Sequence, residues 1–103
     1  MLRGAVAFNH AIGGWNVSRV TTMDGMFNNA RHFNQPIGNW NVSRVRDMNR
    51  MFSGASKFNQ SIGQWNVSQV TSMVSMFSDA AAFNQAIGPV SYTHLTLPTK
   101  RIV

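Results

Sequence analysis

The chain has no cysteine, which excludes disulfides and thiolate metal sites and leaves the redox compartment open. It has only three leucines, so its apolar residues do not have the usual composition of a globular core. Acidic residues number three, Asp24, Asp47 and Asp79, and all charged types together make up only 12% of the chain. No apolar run approaches the length of a membrane-crossing helix. The first ten residues, MLRGAVAFNH, lack a signal-peptide apolar core. In a piece of a longer protein that last absence excludes little.

What is present is 44% apolar residues, too many for disorder by composition, drawn heavily from seven Phe and seven Met. Asn and Ser supply the polarity. The formal charge of +6 is dispersed. Its densest group, Arg44, Arg46 and Arg50, reads as a solvated face, because the neighbouring segments of related sequence carry no comparable cluster.

Those related segments dominate the sequence. Residues 8–32, 33–57 and 58–82 align without insertion at a period of 25, and thirteen columns are identical in all three copies. Partial copies stand at 1–7 and 83–88. A fixed period of this length is the signature of units that bury one another's apolar faces. The expected organisation is a repeat region over 1–88. The chain is expected to begin and end inside longer repeats, with core faces open at Leu2 and near Phe83. After Gly88 the pattern breaks into PVSYTHLTLPTKRIV. This stretch resembles the translation of a sequencing-library adapter, so 89–103 is expected to be a non-native or disordered tail. A genuine cap using Val90, Tyr92 and Leu95 is the rival reading.

Within the second copy, Met48, Met51, Phe52 and Ala55 fall at i, i+3, i+4 and i+7, the stripe of an amphipathic helix. Thr22, Asp47 and Ser72 precede the three stripes as N-caps. Asn29, Gly54 and Asp79 suit the helix ends. Ile37, Trp40 and Val42 favour a short strand somewhere within 35–42, limited by Pro36 and Gly38. The predicted fold class is therefore an α/β repeat: a leucine-rich-repeat-like solenoid with one short strand and one short helix per 25-residue coil. Phe33, Ile37, Trp40, Val42, Val45, Met48, Met51, Phe52 and Ala55 are the predicted interior of one coil. Asn41 and Ser43, with their equivalents, are expected either to ladder between coils or to bond the turn backbone.

The Trp-Asn-Val-Ser run, the Met-x-x-Met-Phe run and the Phe-Asn-Gln run, all at a 25-residue period, resemble the BspA-like leucine-rich-repeat surface proteins and the related mycoplasma lipoprotein repeats. The resemblance covers residues 1–88. It implies a strand-plus-helix solenoid, exposed on a cell surface or secreted, acting as an adhesin or interaction scaffold. Asn16, Asn41 and Asn66 stand where that family often has Asp. Arg19 and Arg44 make this surface more basic than the resemblance implies.

No set of acid, base, nucleophile or metal ligands recurs, so the protein is expected not to be an enzyme and to carry no cofactor. The three aspartates occupy different repeat columns. His10 and His32 are single and lack converging ligands. The methionine columns read as packing rather than a copper site. Three Asn-Val-Ser sequons, at Asn16, Asn41 and Asn66, read as structural. Binding is expected to use columns that vary between copies yet share one face: Arg19, Gln35, Asn39, Arg44, Gln60, Gln64 and Gln69. The expected function is a non-enzymatic, surface-exposed scaffold that binds a protein or glycan and mediates adhesion. It would act beside neighbouring repeats of the full-length chain, with nucleic acid not its partner. The alternative is a basic face that binds nucleic acid or another polyanion, and steep salt dependence would mark it.

Overall fold

In a computed structural model, residues 4–84 are described; Leu2, where an open core face is expected, the segment 89–103 and the end of the last partial copy lie outside the described residues. The three copies lie against one another in 25-residue register. Backbone N–H groups of Met23, Gly25, Phe27 and Asn29 donate to the carbonyls of Asp47, Asn49, Met51 and Ser53 at 2.7–2.8 Å. Met48, Arg50, Phe52 and Gly54 donate in the same way to Ser72, Val74, Met76 and Ser78 at 2.8–2.9 Å.

The α/β solenoid with a strand and a helix per coil is not what the chain forms. No helix is present among the described residues, and the β pairing between them is limited to isolated parallel bridges, Thr22 to Asp47 and Asp47 to Ser72. The result is a compact globule built of turns, with a radius of gyration of 12.0 Å.

The helix fails for an identifiable reason. A right-handed helix needs every residue near φ −63°. Gly25, Arg50 and Ser75, which share a column inside the expected helix, have φ of 67°, 55° and 56°. That position reverses the winding after one turn. Alternate N–H groups are then freed to reach the next coil, and the groups between them close local turns. Met26, Asn28 and Ala30 donate to Met23, Gly25 and Phe27 at 3.0–3.1 Å. A helical ladder would have kept all of them within one segment.

The apolar spacing acquires a different meaning. Each coil is a series of tight turns whose first and last residues are both apolar: Ala30–Phe33, Ile37–Trp40, Val42–Val45, Met48–Met51 and Phe52–Ala55, each closed by an i+3 to i hydrogen bond of 3.0–3.2 Å. The ends of a β-turn lie within 7 Å of each other, so both can enter one interior while the two central residues stay outside. A run of such turns therefore reproduces the i, i+3, i+4, i+7 pattern of a helix. The expected strand within 35–42 is also absent, because the turn at 37–40 occupies its middle and Pro36 has no N–H to give.

All nine residues predicted to line the interior of the second coil are buried. Two columns of phenylalanine run through it. Phe27, Phe52 and Phe77 stack at 5.5 and 5.6 Å, and Phe33, Phe58 and Phe83 at 5.8 and 6.0 Å, with ring planes within 9° of parallel. The columns meet at 4.2 Å. Phe83, expected at an open face, is buried. The exposed core residue is Trp15, at 47%, on the first coil.

The tryptophans also tie the coils together through polar bonds. The indole N–H of Trp40 donates to the Ile12 carbonyl at 3.1 Å, and that of Trp65 to the Ile37 carbonyl at 3.0 Å. Two of the three cap residues act as read, but on turns. Asp47 Oδ1 accepts from Asn49 N–H at 2.9 Å, and Thr22 Oγ1 from Asp24 N–H at 3.3 Å. At the third, Asn49 Oδ1 takes the Val74 N–H at 2.7 Å and Ser72 Oγ donates to the same oxygen at 2.6 Å. Asn29, Gly54 and Asp79 take the left-handed conformation, with φ of 64°, 78° and 60°.

Candidate functional site

The outside of each coil is made by the central residues of its turns. In the turn 37–40 these are Gly38 and Asn39; in 62–65 they are Gly63 and Gln64; in 12–15 they are Gly13 and Gly14. In the turns 37–40 and 62–65 the Ile and Trp at the ends are drawn into the core, so the central pair faces outward; in 12–15 Ile12 is buried but Trp15 is exposed. The first central residue is glycine for a packing reason. A Cβ on Gly13 would lie 2.7 Å from the Pro36 carbonyl oxygen, and one on Gly38 2.7 Å from that of Ser61. With no Cβ, the backbones of successive coils approach, and a groove of about 470 Å³ opens alongside. It is lined by Gly13, Pro36, Gly38, Asn39, Gln60, Ser61 and Gln64.

The amides around this groove have two different roles. Asn9, Asn34 and Asn59 form a ladder: the Oδ1 of each accepts the backbone N–H of the asparagine one coil on, at 2.9–3.0 Å. Gln35 and Gln60 extend it by donating Nε2 to the carbonyl and Oδ1 of Asn9 and Asn34 respectively, at 3.1–3.2 Å. By contrast, the side chains of Asn39 and Gln64 are exposed and have no hydrogen-bond partner among the described residues. They retain donor and acceptor capacity for something else.

A second cleft lies further along the same outer surface. The turns 17–20, 42–45 and 67–70 carry Ser18–Arg19, Ser43–Arg44 and Ser68–Gln69 at their centres. Each is braced by the preceding asparagine. Asn16, Asn41 and Asn66 accept from the backbone N–H of Ser18, Ser43 and Ser68 at 3.0–3.1 Å. These asparagines therefore hold turns, while the coil-to-coil ladder belongs to the Phe-Asn-Gln column. Ser18, Arg19, Asn41, Ser43 and Arg44 line a cleft of about 490 Å³.

The family described as "Mycoplasma protein of unknown function, DUF285" matches residues 1–96. The chain belongs to that family. Neither the curated proteins nor the solved structures give a match.

In this DUF285 chain the seven residues singled out from sequence separate into three groups. Asn39 and Gln64 are brought together over the glycine-floored groove, with Gln60 in its wall. Arg19 and Arg44 are brought together in the second cleft, and Gln69 is exposed one coil further on in their column. Gln35 and Gln60 have committed their amide nitrogens to the ladder. The groove floor (Gly13, Pro36, Gly38 and Ser61) and the Ser18–Ser43 wall were not among the sequence candidates. Their signal was available in the Gly-Gly, Gly-Asn and Gly-Gln pairs between an Ile and a Trp, a turn signature.

Among the described residues no three His, Cys, Asp or Glu converge as metal ligands, and no helix is long and apolar enough to cross a membrane.

Proposed function

We propose that this DUF285 chain is a non-enzymatic binding scaffold, displayed on a cell surface or secreted, and that it mediates adhesion by holding a glycan in the groove beside Asn39 and Gln64. The exposed amides of these two residues, which have no hydrogen-bond partner among the described residues, over a glycine floor carry the reading. A primary amide offers two donors and an acceptor, which suits the paired donor and acceptor character of neighbouring sugar hydroxyls. Among the described residues the groove lining includes no carboxylate, imidazole or amine, and those side chains bind without offering an acid or base. The resemblance to BspA-like surface proteins supports the same location and role. A protein loop presenting backbone amides is the other ligand this chemistry accepts.

Oligosaccharide-array binding, followed by titration of the Asn39→Ala/Gln64→Ala double variant, tests the reading. Saturable binding that drops at least about fivefold in the double variant supports it, since two lost hydrogen bonds are together worth roughly 1–3 kcal/mol. Binding unchanged by the double substitution refutes the site. The polyanion alternative has Arg19 and Arg44 in its favour. Affinity for random-sequence nucleic acid whose logarithm falls linearly with the logarithm of salt, without saturable oligosaccharide binding, would establish it instead.

A further inference from the structure

The repeat register stacks like upon like, and at one column it stacks like charges. Arg19 and Arg44 occupy equivalent turn positions one coil apart, the same separation that holds Phe27 over Phe52 at 5.5 Å. In-register like charges on adjacent backbones destabilise a pairing. Other charged columns avoid this. Arg46 stands between Thr21 and Thr71, and Arg50 between Gly25 and Ser75. Neither Arg19 nor Arg44 has a hydrogen bond or ion pair with another described residue. Between them lies the cleft lined by Ser18, Asn41 and Ser43. Ser18 Oγ is committed to Asn16 Oδ1 at 2.7 Å. Ser43 Oγ, half-buried, has no partner among the described residues.

We infer that this cleft is an oxyanion subsite, in which the Arg19 and Arg44 guanidiniums and the Ser43 hydroxyl hold a sulfate ester or carboxylate carried on a saccharide. Two guanidiniums present forked N–H donors suited to an anion with several oxygens. An anion between them turns the repulsion of the column into two attractions. The saccharide part rests on the groove reading above. It is joined to that groove by the chain itself: Asn39 lines one recess and Asn41 the other, on either side of the inward Trp40. A ligand with neutral hydroxyls at one end and an anionic group at the other matches the two in sequence.

The test uses the whole chain, nitrogen-labelled, and three oligosaccharides of one backbone: sulfated, uronate-bearing and neutral. The expected result is that at least one anionic form binds about tenfold or more tightly than the neutral parent. It should also move the Arg19 and Arg44 Nε–H and Ser43 N–H signals, and the preference should vanish in Arg19→Gln/Arg44→Gln. Whichever anionic form is preferred identifies the source of the oxyanion. A control, Arg46→Gln/Lys57→Gln, removes the same charge outside the cleft and should leave the preference intact. Equal binding of all three sugars would overturn the oxyanion subsite while sparing the groove. An equal loss in the control variant would overturn it as a mere net-charge effect. Signal movement with inorganic sulfate but with no sugar would sink the groove reading, and this proposal with it. Tighter, steeply salt-dependent binding of random RNA would replace it with a polyanion surface.

Discussion

Replacing Gly38 by alanine tests the stacking of coils through the sign of its effect. Gly38 does not have positive φ, so its own backbone accommodates alanine. Judged locally, the change should stabilise the protein by about 0.4–1 kcal/mol, because the unfolded chain loses freedom. The tertiary structure predicts the opposite. The new Cβ would meet the Ser61 carbonyl oxygen at 2.7 Å, and that oxygen belongs to the backbone of the next coil, which cannot move without disturbing the stack. Overpacking of this kind costs about 1–3 kcal/mol, so the net expectation is a loss of about 1–2 kcal/mol. For a domain of this size that lowers Tm by roughly 5–15 °C. Gly14 is the control. It is exposed, and a Cβ there meets nothing within 4 Å, so Gly14→Ala should be neutral or slightly stabilising. Thermal melting followed by near-ultraviolet dichroism of the tryptophans reads both. If Gly38→Ala melts at or above the parent temperature, the close approach of successive coils at this turn is wrong.

Three further outcomes follow from the packing and the ladder. Phe52 is fully buried and stacks on Phe27, Phe58 and Phe77; Phe52→Ala should cost about 3–5 kcal/mol, much of the ~5–15 kcal/mol a domain holds, and denaturant titration should show most of the transition lost. Asn34→Ala removes the acceptor for both Asn59 N–H and Gln60 Nε2, which at an exposed site should lower stability by about 1 kcal/mol; Asn34→Asp, which keeps the acceptor, should recover most of it in the same titration. Trp15 is exposed while Trp40 and Trp65 are buried, so acrylamide should quench one component of the fluorescence, and Trp15→Phe should abolish the quenchable fraction; quenching that survives this substitution would contradict the burial of the other two.

Met48, Met51, Phe52 and Ala55 predict a helix that does not form, because two structures share that spacing. A helical stripe places i, i+3, i+4 and i+7 on one face. Two successive β-turns place the same four residues at their inward ends. The choice is made at Arg50 and its equivalents. Gly25 alone hints at a left-handed residue there; Arg50 and Ser75 give no such sign, since side-chain-bearing residues rarely adopt positive φ. At Asn29, Gly54 and Asp79 the residue types do favour the conformation, and that position was legible. The candidate site was half visible. Columns that vary between copies pointed to Asn39, Gln64, Arg19 and Arg44. Nothing in those columns distinguished them from Gln35 and Gln60, whose amides hydrogen-bond the preceding coil.

The order of residues alone determined the 25-residue period and which columns turn inward, because an apolar column repeated in register has only its own copies to pack against. Only the tertiary structure decided the local conformation. A backbone N–H in this chain can bond within its own segment or to the neighbouring coil. The coil-to-coil acceptors, 24 residues away for Met23 through Asn29, exist only once the coils have come together, and they favour turns over the helix that each segment's spacing would otherwise suggest.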